Sequence, residues 1–292
     1  MSLSNREIIG RFLRSSSSTF QIINGPLSLK RPGGTVPLTS TLLVLDSSFN
    51  PPHWGHFTLI KKASEFYMEH ENTKKLSVLL LLSVNNADKK PKPATFDKRV
   101  DMMCIFADVI RAKLKQISDV SVGVTTYGKF VDKDRVIRSE FIDSSNIVYL
   151  VGFDTIARIF DPKYYSPKSL SVALGDFMKY SQLFCLTRED YKPQQQSGSS
   201  GQTSAESQEQ LDYPRHISEG NYEPTIPKEW GSKVKVLPNE DEFLSVSSSA
   251  IRAAYMSGNI DEKCINELPQ EIHCYITEQA GKDPNLKSIF SS

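Results

Sequence analysis

Leu42-Leu43-Val44-Leu45-Asp46-Ser47-Ser48-Phe49-Asn50-Pro51-Pro52-His53-Trp54-Gly55-His56 runs from a short apolar segment, through a polar and proline-rich turn, into a helical stretch. A fully apolar run bounded by a polar turn is the pattern of a strand buried on both faces, as a parallel sheet requires. Two prolines stiffen the turn, and Gly55 permits close approach of backbone. In an open α/β sheet, ligands bind beyond the carboxyl ends of the strands, and a helix amino terminus attracts phosphate. His53 and His56, three residues apart at such a helix start, can both face one anion. Taken singly they read as a turn histidine and a cap histidine. The whole string between strand and helix points instead to a phosphate site. A metal pair is the weaker reading, since no third ligand stands nearby.

Outward from this segment, further short apolar runs occupy residues 76–83, 120–125, 147–151, 183–186 and 234–237. Helical stretches fill residues 58–69 and 96–115. Strands alternating with helices predict an α/β fold, a doubly wound parallel sheet wrapped on both faces. Residues 1–18 read as a short helix with Ile8, Ile9, Phe12 and Leu13 on one face, and residues 26–41 as a turn-rich connector. Together 1–41 form a helical extension and connector ahead of a single domain over 42–292. Phe20-Gln21-Ile22-Ile23 reads as part of the fold. The segment 192–223, in which Gln194-Gln195-Gln196-Ser197-Gly198 opens a polar tract, reads as a disordered surface insertion that could bind a partner protein.

Bulk properties narrow the function. The chain has 292 residues, 35 basic and 34 acidic, for a net charge of +1. That balance lacks the electrostatic footprint of a nucleic-acid binder, so any positive charge that matters is local. Cys104, Cys185, Cys264 and Cys274 form no CxxC pair and read as reduced thiols. No apolar run reaches the length that spans a bilayer. The expected setting is the cytosol, with or without the nucleus.

Three other segments fall at strand ends. Val246-Ser247-Ser248-Ser249-Ala250-Ile251-Arg252 follows the last strand; Ser247 or Ser248 can cap a helix, and hydroxyls with free amides there make an anion cradle. Arg252 follows Ser249 by one helical turn, on the same side. Read alone, the segment fits a plain serine-rich N-cap as well as it fits an anion site. Asn85-Asn86-Ala87-Asp88-Lys89-Lys90-Pro91 lies past the second strand, where Lys89 and Lys90 either reach phosphate or are solvated loop charges. Gly152-Phe153-Asp154 closes the fourth strand. Gly152 would let a base or ribose lie on the backbone and Asp154 would bond it; the plain alternative is a turn with an Asp cap.

In this combination the chain resembles the nucleotidyltransferases of the HxGH kind, most closely the nicotinamide mononucleotide adenylyltransferases. Residues 48–56 resemble that family's first motif, 247–252 its second and 150–155 its third, and the likeness covers about residues 42–280 apart from the polar tract. The leading segment and Phe130-Val131-Asp132-Lys133 look most like a fungal branch. The resemblance implies a Rossmann-like nucleotidyltransferase domain and an in-line attack of a mononucleotide 5′-phosphate on the α-phosphorus of ATP. NAD or its deamido form and pyrophosphate would be the products, and Mg²⁺ would ride on the ATP phosphates. The substrates would be ATP with nicotinamide or nicotinate mononucleotide.

By the same resemblance His53, His56 and Arg252 would be catalytic. His56, Gly152, Asp154, Arg188, Ser248, Ser249 and Arg252 would bind ATP. Ser47, Ser48, Phe49, Lys89, Lys90, Tyr127 and Tyr165 would line the mononucleotide side. Three departures stand out: Ser249 replaces the family's Thr, Ser47 replaces a Gly, and the tryptophans that stack the nicotinamide ring have no clear counterpart. Tyr127 or Tyr165 could stack instead. Pantetheine-phosphate adenylyltransferases and cytidylyltransferases share the HxGH feature, and a reading of another class is an ATP-binding or ATP-hydrolysing adaptor, acting in protein quality control.

Overall fold

The computed structural model describes residues 3–15, 17–25, 40–71, 73–84, 95–140, 146–187, 205–239, 243 and 246–282. Its elements in chain order are α1 (Asn5–Arg14), β1 (Phe20–Asn24), β2 (Ser40–Asp46), α2 (Trp54–His70), β3 (Lys75–Ser83) and α3 (Phe96–Lys113). There follow β4 (Asp119–Thr125), α4 (Phe130–Glu140), β5 (Asn146–Leu150), α5 (Phe153–Ile159), α6 (Leu170–Tyr180) and β6 (Ser181–Leu186). The last are α7 (Ala205–Ser218), β7 (Val234–Leu237), α8 (Ser248–Ser257), α9 (Glu262–Asn266) and α10 (Gln270–Lys282).

Among the described residues the strands form one sheet in the order β1-β4-β3-β2-β5-β6-β7. Every pairing is parallel except that of edge strand β1 with β4. Apart from that edge, this is the order of a doubly wound, dinucleotide-binding sheet. The run predicted as the first parallel strand is central: every residue of β2 except Asp46 is buried. Its apolar side chains alternate between two cores. Leu43 and Leu45 pack with Ile60 of α2, Phe106 of α3 and Ile251 of α8, whereas Leu42 and Val44 pack with Ile137 of α4, Ile156 of α5 and Phe177 of α6. That two-sided burial is why no polar residue interrupts the run.

The leading segment is integral to the domain rather than an extension of it. Ser4 and Glu7 cap α1 reciprocally, a local start signal. Ile9 and Phe12 are buried, while Leu13 lies exposed. Asn5 Nδ2 donates to Asp101 Oδ1 of α3 at 2.7 Å, and Tyr275 Oη of α10 donates to the other oxygen of that carboxylate at 2.8 Å. β1 then adds to the sheet edge, with Phe20 opposite Thr125.

The expected disorder over 192–223 is corrected from residue 205 onward. Ala205–Ser218 is a helix, with Ile217 fully buried. Leu211, Tyr213 and Tyr222 pack against the core that holds Trp230 and Val234. The polar start of the tract masked this apolar series, which needs the β7 edge to cover it. Residues 192–204 lie outside the described residues.

Candidate active site

Strand order reverses between β2 and β5, which pair in parallel from Thr41 with Asn146 to Leu45 with Leu150. Their chains leave in opposite directions, to β3 and to β6, and open the crevice where ligands of such sheets bind. The first motif leaves β2 on one side of this switch point, and Gly152-Phe153-Asp154 leaves β5 on the other.

Three side chains grip the carbonyls of the first turn. Arg99 Nη1 donates to Ser48 O at 3.4 Å, Arg252 Nη1 to Asn50 O at 2.7 Å, and Ser248 Oγ to Pro51 O at 2.9 Å. Phe49, at the apex, adopts φ 46° with its ring wholly buried. A left-handed backbone costs a non-glycine residue free energy; ring burial and the three clamps offset that cost and hold the turn. The second motif is thus more than a cap, although Ser247 Oγ does accept from Ser249 N at 3.3 Å. Arg252 also donates through Nη2 to Ser249 Oγ at 2.9 Å. Both of these contacts are to neutral oxygens, and among the described residues no carboxylate pairs with the guanidinium.

Arg99 was not anticipated. It lies in the first turn of α3, buried, with its guanidinium 5.0 Å from the Phe96 ring centroid. Its pKa falls to about 10, through burial first and then through the charge of Arg252; burial likewise lowers that of Arg252. The two charges disfavour each other, and an anion bound beside them would be favoured by both. The available signal was a cation one turn after Phe96, on the apolar stripe of an amphipathic helix.

His56 packs between Phe49 and Phe106, with ring centroids 5.4 Å and 6.4 Å away. The main-chain N–H of His53, N-cap of α2, donates to His56 Nδ1 at 3.2 Å. Burial lowers the His56 pKa to about 4, so the ring is neutral near pH 7. An amide N–H only donates, hence Nδ1 accepts and the ring proton sits on Nε2. That Nε2–H donates to Ser47 Oγ at 2.9 Å. His53 is buried beside it, with ring centroids 3.9 Å apart. Gly55 makes room for this stack: a Cβ there would lie 3.0 Å from the His53 ring.

Gly152 and Asp154 are exposed at the end of β5, and among the described residues, its chain neighbours aside, a Cβ at Gly152 would meet nothing within 4 Å. On the α4–α6 side of the sheet, Lys129 Nζ donates to Tyr164 O at 2.8 Å and lies 5.7 Å from the Tyr165 ring centroid. This contact joins the loop that carries Tyr127 to the one that carries Tyr165. Burial, then Asp132 and Asp161, raise the Tyr165 pKa to about 12. Trp230 stacks on Phe160 in the core, and Trp54, half-buried, packs edge-on against Phe57 with the Lys113 ammonium 5.5 Å from its ring centroid. Sequence reasoning also missed a buried ion pair of Lys133 with Asp46, the residue that closes β2, where Ser83 Oγ donates to the second Asp46 oxygen at 3.2 Å. The structure therefore brings His53, His56, Ser47, Ser48, Phe49, Ser248, Ser249 and Arg252 together and places Gly152 and Asp154 on the neighbouring strand end. Lys89, Lys90 and Arg188 lie outside the described residues.

A family model described as cytidylyltransferase-like matches residues 44–254, a span that holds all three motifs. Fold, site and match make the chain a cytidylyltransferase-like nucleotidyltransferase. It is 36% identical over 238 residues to a Schizosaccharomyces pombe protein described as "Putative nicotinamide mononucleotide adenylyltransferase", covering 79% of this chain and 82% of that protein. Within the cytidylyltransferase-like proteins, the chain belongs to the nicotinamide mononucleotide adenylyltransferase family. The fold is also that of the Plasmodium falciparum nicotinic acid mononucleotide adenylyltransferase complexed with NaAD, at 16% identity and a TM-score of 0.52 over 85% of this chain and 99% of that one.

Proposed function

We propose that this chain transfers the adenylyl group of ATP to the 5′-phosphate of nicotinamide or nicotinate mononucleotide. A phosphate oxygen of the mononucleotide forms a bond to the α-phosphorus, the bond from that phosphorus to the bridging oxygen breaks, and pyrophosphate leaves. The observation that carries this reading is the clamp of Arg252 and Ser248 on the turn that presents His56. With Arg99 on the Ser48 carbonyl of the same turn, it sets two cationic side chains and a neutral imidazole donor around one strand end.

No protein nucleophile is needed; the residues orient two anions and stabilise charge that develops between them. His56 donates through Nε2–H, while Arg252, Arg99, Ser248 and Ser249 hold the polyphosphate. Gly152 and Asp154 meet the nucleoside, and Tyr127 and Tyr165 flank the pyridine. Among the described residues no three His, Cys, Asp or Glu side chains converge as a metal cage. Mg²⁺ would be held by the ATP phosphates, where it neutralises their charge. A cytoplasmic setting, with or without the nucleus, is part of the same proposal.

The test is incubation of the purified chain with ATP, Mg²⁺ and each mononucleotide, with His56→Ala as control. Dinucleotide and pyrophosphate from the native chain, formed about a hundredfold more slowly by the variant, are expected. Nucleotide binding or phosphate release without dinucleotide would replace the transferase with the adaptor reading.

A further inference from the structure

The imidazole of His56 is held from both sides. His53 N–H occupies Nδ1, and Ser47 Oγ accepts from Nε2–H. A hydroxyl that accepts one hydrogen bond still has its own proton to give, and among the described residues nothing accepts the proton of Ser47. The backbone of Ser47 is already committed, since its N–H donates to Leu81 O at 3.2 Å and extends the β2–β3 ladder. Only the side chain is available, partly exposed, one residue past the end of β2 at the switch point. Donation from an imidazole N–H polarises the hydroxyl and makes it the stronger donor in its turn.

We propose that Ser47 is a positioning residue for adenylyl transfer, holding the Nε2–H of His56 toward the strand end and extending its donation to the phosphate oxygen that binds there. The inference rests on the phosphate-site reading above and adds a group that the first motif's usual glycine cannot supply. The departure at position 47 thereby gains a chemical role: Ser47 and His56 act as one donor chain rather than as two separate contacts.

Ser47→Ala and Ser47→Gly should each lower kcat about tenfold, the share of a single hydrogen bond to a charged group, with the KM for ATP within about twofold. Ser47→Thr, which keeps the hydroxyl, should restore kcat. In a His56→Ala background Ser47→Ala should add no further loss, because the two residues form one unit. A readout independent of turnover is the His56 Nε2–H proton in NMR of the ligand-free chain, bonded in the native protein and in Ser47→Thr but lost to solvent exchange in Ser47→Ala. Unchanged kcat in Ser47→Ala, losses that multiply with those of His56→Ala, or an unaltered Nε2–H signal would each overturn the proposal. Should the native chain make no dinucleotide, the transferase reading fails, and the NMR comparison still decides whether Ser47 holds His56.

Discussion

Arg252 reaches back from α8 to the first motif, donating to Asn50 O at 2.7 Å while its other terminal nitrogen holds Ser249 Oγ at 2.9 Å. One planar fork thus sets the distance between two segments far apart in the chain. Lysine carries the charge but only a point donor. Arg252→Lys should lower kcat/KM about a hundredfold and Arg252→Ala about a thousandfold, the range found when a preorganised donor is removed. Steady-state kinetics in both substrates would check this. Native-like kcat/KM in Arg252→Lys would mean that charge alone suffices and that the fork has no part in the chemistry.

His56 makes a pH prediction whose sign can be worked out. Its folded pKa, about 4, lies below the ordinary 6.5 because burial disfavours the charged ring. Above pH 6.5 both folded and unfolded chains hold the ring neutral, and it contributes no pH dependence. As pH falls from 6.5 toward 4 only the unfolded chain takes up the proton, so stability is lost across that window, by up to about 3 kcal/mol. Denaturant melts of native protein and His56→Asn at pH 7.5 and pH 5 should therefore differ. The native chain loses the greater stability on acidification, and equal losses would place the ring in solvent.

The central strands were legible because their residues are buried on both faces, and composition alone marks such runs. β2, β3 and β6 needed no knowledge of their partners. Strand order was not legible, because the adjacency of β2 and β5 is a non-local pairing that no local pattern carries. α4 hid for another reason: its buried face includes Lys133 and Asp134, charges that read as solvent-facing until their partners Asp46 and Arg138 are known. Arg99 hid in the same way. Of the site, the motif residues could be named from sequence, but the clamp on the Ser48, Asn50 and Pro51 carbonyls could not. Which oxygen a guanidinium reaches depends on where two helices dock.

Gly152 separates ligand fit from protein fit. Its φ is −79°, open to any residue, and among the described residues, its chain neighbours aside, no atom lies within 4 Å of an added Cβ. Gly152→Ala should therefore melt with the native protein, even gaining slightly from a less flexible unfolded chain. If a nucleoside lies on this backbone, the methyl group lifts it. The KM for ATP should then rise about tenfold, roughly the effect of one misplaced contact, with kcat changed less. Unchanged kinetics in the stable variant would move the nucleoside elsewhere along the strand ends.

Gly231 gives the opposite case and tests the helix that sequence reasoning took for disorder. A Cβ here would fall 2.1 Å from Ser218 Oγ, 2.6 Å from Pro214 O and 2.7 Å from Ser218 N. The serine hydroxyl can rotate away, but the other two atoms belong to the backbone of α7. Gly231→Ala must therefore push the helix off the turn that leads into β7. Overpacking of this kind costs about 2–3 kcal/mol, equivalent in a domain of this size to roughly 4–10 °C in Tm. Adding Ser218→Ala should recover only part of the loss, since the backbone clashes persist. Hydrogen exchange should locate the damage in residues 205–218, with β2 and the first motif still protected. A Gly231→Ala chain that melts like the native one would detach α7 from the sheet edge and return this tract to a solvated insertion.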